Sequence, residues 1–227
     1  AIFRIITSIC GFIRARKYPE HQSKDPERRQ PWFPIVPGLP ANRFYDEDTF
    51  PWVDLLKKNH KAIRNELKAL IVDEHSMSPH RADPDGVPGW KDLNFIGAGD
   101  RNMESVNRCP KTGNLLSELP AILYAGLVAL EPGRHISPHY GPTNGIIVCH
   151  FGIMNCEGSY VNVDGEIREY KDGELVAFDD TYIHTAINTS DKTRYTLMFF
   201  TPHPTLTDLE QKLIIKSFHI ATDPDRH

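Results

Sequence analysis

Two regimes of hydrophobic patterning divide the chain. In the first half the apolar positions fall at helical spacing: Val53, Leu56, Ile63, Leu67 and Leu70 recur with a period near 3.6, which predicts a helix from about Pro51 to Ile71. Pro51 suits its first turn, where a missing N–H costs nothing. A shorter helix is expected over Asn114–Leu119, after Cys109-Pro110. From Pro120 the period switches to two. Strands are expected over Ala121–Leu130, Gly145–Ile153, Glu174–Phe178 and Thr193–Thr201, and Asn94–Gly97 is a further candidate. Tyr160–Tyr170 reads as a hairpin, because Asp164-Gly165 supplies the positive φ angles of a two-residue turn. Lys171-Asp172-Gly173 makes a second turn. Thr207 followed by Glu210 is a capping box that opens a last helix, with Leu209, Leu213 and Phe218 as its apolar face.

Helices first and a block of short antiparallel strands last define an α+β protein. Tight turns between many short strands point to a double-stranded β-helix, a cupin-like jelly roll, with flanking helices. We divide the chain into residues 1–48, an N-terminal helix and extended arm, and residues 49–227, the jelly-roll domain with its supporting helices. Residues 1–17 are apolar and then basic, a poor transmembrane span and a poor signal peptide. Docking on its own domain is the plain expectation for this segment, with a partner subunit or a membrane surface as alternatives. Residues 73–91 are polar and Pro-rich, a surface loop or a lid.

Composition changes this picture little. The 227 residues carry a formal net charge of −4, which gives no reason to expect a nucleic-acid partner. The four cysteines, Cys10, Cys109, Cys149 and Cys156, show no CxxC or zinc-finger spacing and in a reducing compartment would be free thiols. A cytoplasmic location is the favoured expectation. Cys149 lies in an apolar strand, as a small buried hydrophobe.

The candidate chemistry sits on two histidines. His139 lies at a strand edge between Pro138 and Gly141-Pro142, and His184 follows Asp179-Asp180. Two neutral imidazoles meeting at a barrel mouth suit Fe, Zn, Cu or Ni, and open positions beside them favour oxygen chemistry at iron. The carboxylate of a facial triad would stand two residues after His139, where this chain has Gly141. Two protein ligands, with water or an anion besides, are the consequence, and Asp180 is a candidate to orient a water or an imidazole. Arg194, on a later strand, can grip a carboxylate through two parallel N–H···O bonds. His135 and His203 read as structural or supporting residues, and His60, His75, His80, His219 and His227 as solvated.

Several stretches combine into a specific pattern: Glu131-Pro-Gly-Arg-His135, Pro138-His-Tyr-Gly-Pro-Thr-Asn144, His150-Phe-Gly152, Gly173–Asp180 with His184, and Arg194. On these residues the segment from about 119 to 205 resembles the aspartyl/asparaginyl β-hydroxylase family of iron- and 2-oxoglutarate-dependent oxygenases. The resemblance implies Fe(II) on His139 and His184, with O₂ and 2-oxoglutarate as co-substrates. It also implies that Arg194 holds the distal carboxylate of 2-oxoglutarate and that His150 lies beside its other end. Two co-substrate positions depart from the family pattern. Val148 replaces an arginine two residues before His150, and Val128 stands where a hydroxyl would face the co-substrate. Ile146 also replaces a basic residue of the aspartyl-peptide hydroxylases. The expected substrate is therefore a small, less acidic or more hydrophobic molecule. A peptide aspartyl/asparaginyl hydroxylase, a jelly-roll binding module without catalysis, and a zinc hydrolase are the alternatives.

Overall fold

A computed structural model describes residues 36, 38–73, 75–80, 89–97, 99–119 and 121–222, the last five of these by backbone only. The amphipathic segment at residues 1–17, most of the arm, Cys10, the middle of the 73–91 loop, His227 and the side chains of Phe218 and His219 lie outside the described residues.

Twelve strands and four α-helices form three layers among the described residues. The helices are α1 (Val53–Leu70), α2 (Met103–Arg108), α3 (Pro110–Glu118) and α4 (Asp208–Thr222). The strands are β1 (Phe44–Tyr45), β2 (Ser78–Pro79), β3 (Trp90–Gly97), β4 (Asp100–Arg101), β5 (Tyr124–Leu130), β6 (His135–His139), β7 (Ile146–Met154), β8 (Ser159–Val163), β9 (Glu166–Glu169), β10 (Leu175–Phe178), β11 (His184–Asn188) and β12 (Arg194–Pro202). The major sheet runs β1-β10-β7-β12-β5-β3-β2, with β4 beside β3, and the minor sheet runs β6-β11-β8-β9. All pairings are antiparallel. This is the α+β jelly roll that the sequence patterning predicts.

The major sheet is buried on both faces, which is why all nine residues of β7 are buried. Its outer face, with Leu93, Phe95, Leu127, Cys149, Phe151, Leu197 and Phe199, packs on the apolar stripe of α1 and on Leu115 and Leu116 of α3. Each stripe residue of α1 removes apolar surface worth roughly 1.5–3 kcal/mol from water, before chain entropy is counted. The inner face, with Trp90, Val128, Val148, Phe178 and Met198, packs on Ile136, Val161, Val163 and Ala186 of the minor sheet. The site therefore lies between two sheets, on a floor stiffened from behind by helices.

Local details follow the chemistry of single residues. Asp164 and Gly165 both take positive φ, 48° and 87°, as the hairpin turn requires. Helix α1 starts at Val53, so Pro51 precedes it rather than entering its first turn. Pro110 instead occupies the first turn of α3, which begins four residues before the expected Asn114. The Glu66 carboxylate caps α3 from α1, accepting from the Lys111 and Thr112 amides at 2.8 Å each. In α4 the Glu210 carboxylate accepts from the Thr207 amide at 2.8 Å and its hydroxyl at 2.6 Å. That cap turns Glu210 inward and sets the phase of the helix. Ile214 and Ser217 are buried with it, while Leu209, expected on the apolar face, is 57% exposed.

Candidate functional site

His139 ends β6 and His184 begins β11, and the two are direct cross-strand partners. Their ring centroids are 4.1 Å apart. Each ring is set by the same local device. Nδ1 of His139 donates to the Ser137 carbonyl at 2.8 Å, and Nδ1 of His184 donates to the Tyr182 carbonyl at 3.0 Å. This tautomer places the lone pair on Nε2 of both rings, the arrangement of a metal ligand. His184 is buried, and burial with His139 beside it holds its pKa down to about 3, so the ring is neutral at any ordinary pH. Among the described residues no third His, Cys, Asp or Glu joins them.

The loop before His184 is built by Asp179. Its carboxylate accepts from the Thr181 amide at 3.0 Å and the Thr181 hydroxyl at 2.5 Å. The Tyr182 hydroxyl donates to the Ala41 carbonyl at 3.1 Å, which ties the loop to the arm.

Asp180 meets the loop leaving His139 at Gly141. The Gly141 amide donates to the Asp180 carbonyl at 2.6 Å. A Cβ built on Gly141 would fall 1.8–2.2 Å from the Asp180 carboxylate. The carboxylate of Asp180 thus stands where a side chain at position 141 would begin, and close approach is what requires glycine here. Gly141→Ala is expected to displace Asp180, to lower stability by about 1–3 kcal/mol and to weaken metal binding roughly 10–100-fold. Adding Asp180→Ala should restore much of the melting temperature but not the metal affinity. Thermal melts and metal titration of wild type and the two variants check this.

Behind the imidazoles a series of rings leads into the barrel. Phe178 lies 5.3 Å from His184, His150 lies 5.9 Å from Phe178, and Tyr170 lies 5.4 Å from His150. The guanidinium of Arg194 covers the Tyr170 ring at 4.7 Å. Burial, then Arg194, His184 and His80, hold the His150 pKa well below its ordinary value, so this ring too is neutral. The Thr196 hydroxyl faces its Nδ1 at 3.5 Å. Arg194 is 0% exposed, and Nε and both terminal nitrogens lack a hydrogen-bond partner among the described residues. A native protein rarely buries a cation in this way without an anion to meet it. Val128 and Val148 are buried in the same apolar inner wall. Ile146 instead packs with Val36, Leu39, Leu206 and Ile214, away from this wall.

Sequence reasoning missed three contributors. Trp90, read as the end of a polar loop, points into the barrel from β3, 6.4 Å from His139. His80, expected to be solvated, is 8% exposed and stacks on Trp90 at 4.0 Å with the planes 5° apart. Tyr170 reads in the sequence only as the end of a hairpin. Strand alternation could have found two of them, since Trp90 pairs with Leu130 and Tyr170 lies opposite Ser159. His203 is structural, fully buried and bonded to the Tyr45 hydroxyl at 2.8 Å. A cavity of about 740 Å³ between the 155–158 turn and residues 189–192 contains none of the proposed site residues.

Comparison with known proteins places this geometry. The chain is 30% identical over 162 residues to an ornithine lipid ester-linked acyl 2-hydroxylase of Rhizobium tropici, covering 67% of this chain and 58% of that protein. It is 28% identical over 212 residues to aspartate beta-hydroxylase domain-containing protein 2 of Rattus norvegicus, covering 88% and 62%. The chain thus spans about 60% of the length of these relatives. Among solved structures, a Trichoplax adhaerens prolyl hydroxylase in complex with a hypoxia inducible factor peptide fragment aligns with a TM-score of 0.43 at 14% identity, covering 71% of this chain and 90% of that one. The family described as aspartyl/asparaginyl beta-hydroxylase matches residues 57–204, a stretch that holds both imidazoles, Asp180, His150 and Arg194. This chain is a member of the aspartyl/asparaginyl β-hydroxylase family.

Proposed function

We propose that this protein is an Fe(II)- and 2-oxoglutarate-dependent oxygenase that oxidises an unactivated C–H bond of a small, largely apolar substrate. The observation that carries the reading is the fully buried Arg194 guanidinium, whose nitrogens have no hydrogen-bond partner among the described residues, at the far end of a series of rings from two tautomer-locked imidazoles. An anionic co-substrate reaching from the imidazoles toward Arg194 would satisfy both ends.

When bound, iron with 2-oxoglutarate and O₂ supplies the oxidation that no side chain can perform. The residues of the chain do the rest. His139 and His184 hold the metal, and their Nδ1 bonds keep the rings from turning. Arg194 orients the co-substrate by gripping its distal carboxylate. Asp180 orients a water or a substrate donor beside the imidazoles. Val128, Val148 and Phe178 exclude water from the space between.

The substrate class follows from what the wall lacks. Val148 and Val128 line this wall with uncharged aliphatic side chains, which suit an apolar substrate better than a carboxylate. The R. tropici relative, named for an acyl chain, supports an acyl or similarly apolar substrate. Anaerobic titration tests the assignment. Adding 2-oxoglutarate to the iron-loaded protein is expected to raise a weak visible charge-transfer band that neither component gives alone. No band would identify a binding module without catalysis. Succinate formation driven by an acidic peptide and not by acyl compounds would overturn the substrate class.

A further inference from the structure

Val128 and Val148 remove a hydroxyl and a guanidinium from the positions where the family resemblance puts co-substrate contacts, so something else must complete the seat. The hairpin of the minor sheet supplies candidates. Ser159 opens β8 and Tyr170 follows β9. The Tyr170 amide donates to the Ser159 carbonyl at 2.9 Å, next to the cross-strand pair Tyr160 and Glu169. Opposed residues share a face, and theirs is the inner one, with Val161 and Val163. Ser159 is 0% and Tyr170 1% exposed. Neither hydroxyl has a hydrogen-bond partner among the described residues, and the same holds for all three nitrogens of the neighbouring Arg194.

The chemistry of this group is one-sided. A guanidinium only donates, so even where the Tyr170 oxygen faces Arg194 its own proton still needs an acceptor. Burial raises the Tyr170 hydroxyl to about 12, so it keeps that proton. Asp172, the acidic residue nearby, is engaged elsewhere, accepting from the Cys156 amide at 3.0 Å and pairing with Arg64 at 3.6 Å. The Tyr170 hydroxyl and the Arg194 guanidinium beside it, with the Ser159 hydroxyl buried on the same face, offer donors without an acceptor among the described residues and describe a cup for a carboxylate.

We propose that Tyr170 and Ser159 donate their hydroxyls, alongside Arg194, to the distal carboxylate of 2-oxoglutarate, and so compensate for Val128, which pairs with Thr196 beside Arg194. This rests on the oxygenase reading above. The test compares wild type, Tyr170→Phe and Ser159→Ala in anaerobic iron(II) titrations with 2-oxoglutarate and with 2-oxopentanoate, which has the same chain without the distal carboxylate. Each variant is expected to bind 2-oxoglutarate about tenfold to a hundredfold more weakly, the value of a hydrogen bond to a charged group, and to bind 2-oxopentanoate as wild type does. The metal-free variants should melt no lower than wild type, since neither hydroxyl has a hydrogen-bond partner among the described residues. Unchanged 2-oxoglutarate binding in both variants, or equal losses for the two keto acids, overturns the proposal. A wild type that gives no iron-dependent band with 2-oxoglutarate overturns the oxygenase reading itself, which separates the two failures.

Discussion

Substitution of His184 or His139 by alanine is expected to reduce substrate-dependent succinate formation to background, with loss of iron from the purified protein. The reason is the size of the donor set. Among the described residues these two facing imidazoles gain no third candidate donor, so under the proposed reading removing either leaves one. Neighbours cannot substitute, because the Asp180 carboxylate is packed against Gly141 and His150 lies behind Phe178. The fold should survive, since the main-chain ladder between β6 and β11 does not depend on these side chains. Acid titration gives an independent readout. His184 has a folded pKa of about 3 against an ordinary value of 6.5. Between those values the unfolded chain binds more protons, so the stability of metal-free wild type falls as pH drops from about 6.5. The slope reaches about 1.4 kcal/mol per pH unit for one such group. His184→Ala should show a shallower acid slope and no iron retention. Wild-type turnover in either alanine variant would dismiss the pair as the metal site.

The legible part of the fold is the part whose chemistry is only packing. Strands β5, β7 and β12 and helix α1 carry unbroken apolar patterns, and their positions follow from periodicity within a few residues. The strands that carry the imidazoles were not legible as strands. In β6 only Ile136 is buried, and Pro138 interrupts the run. In β11 the inward positions are His184, Ala186 and Asn188, so polar residues occupy the face that apolar ones would announce. Polar residues at inward positions erase the signal that periodicity needs. The facing imidazole pair itself was legible through its flanking residues, and Arg194 through its place on a later strand. Trp90, His80 and Tyr170 were not, because their roles depend on which strand lies opposite. The phase of α4 was not legible although its capping box was: the cap turns Glu210 inward, and apolar spacing alone puts Leu209 on that face instead.

Arg194→Met is expected to separate stability from function with opposite signs. In the metal-free protein the guanidinium is fully buried, and its nitrogens have no hydrogen-bond partner among the described residues. Holding a desolvated cation there costs several kcal/mol, while its stacking on Tyr170 returns only about 0.5–2 kcal/mol. Methionine fills similar volume without the charge, so the metal-free variant should melt at or above the wild-type temperature. Co-substrate binding should move the other way. Removing one partner of a buried, hydrogen-bonded charge pair costs about 2–5 kcal/mol, which weakens 2-oxoglutarate binding by about 30-fold to several thousand-fold. Arg194→Lys keeps the charge but loses the planar fork, and should fall between the two. The iron-binding titration should be unchanged in both variants, because the imidazoles are held by Ser137 and Tyr182 rather than by the barrel floor. A large fall in melting temperature without loss of 2-oxoglutarate affinity would make Arg194 a structural cation. The anion that balances it would then have to come from the chain itself.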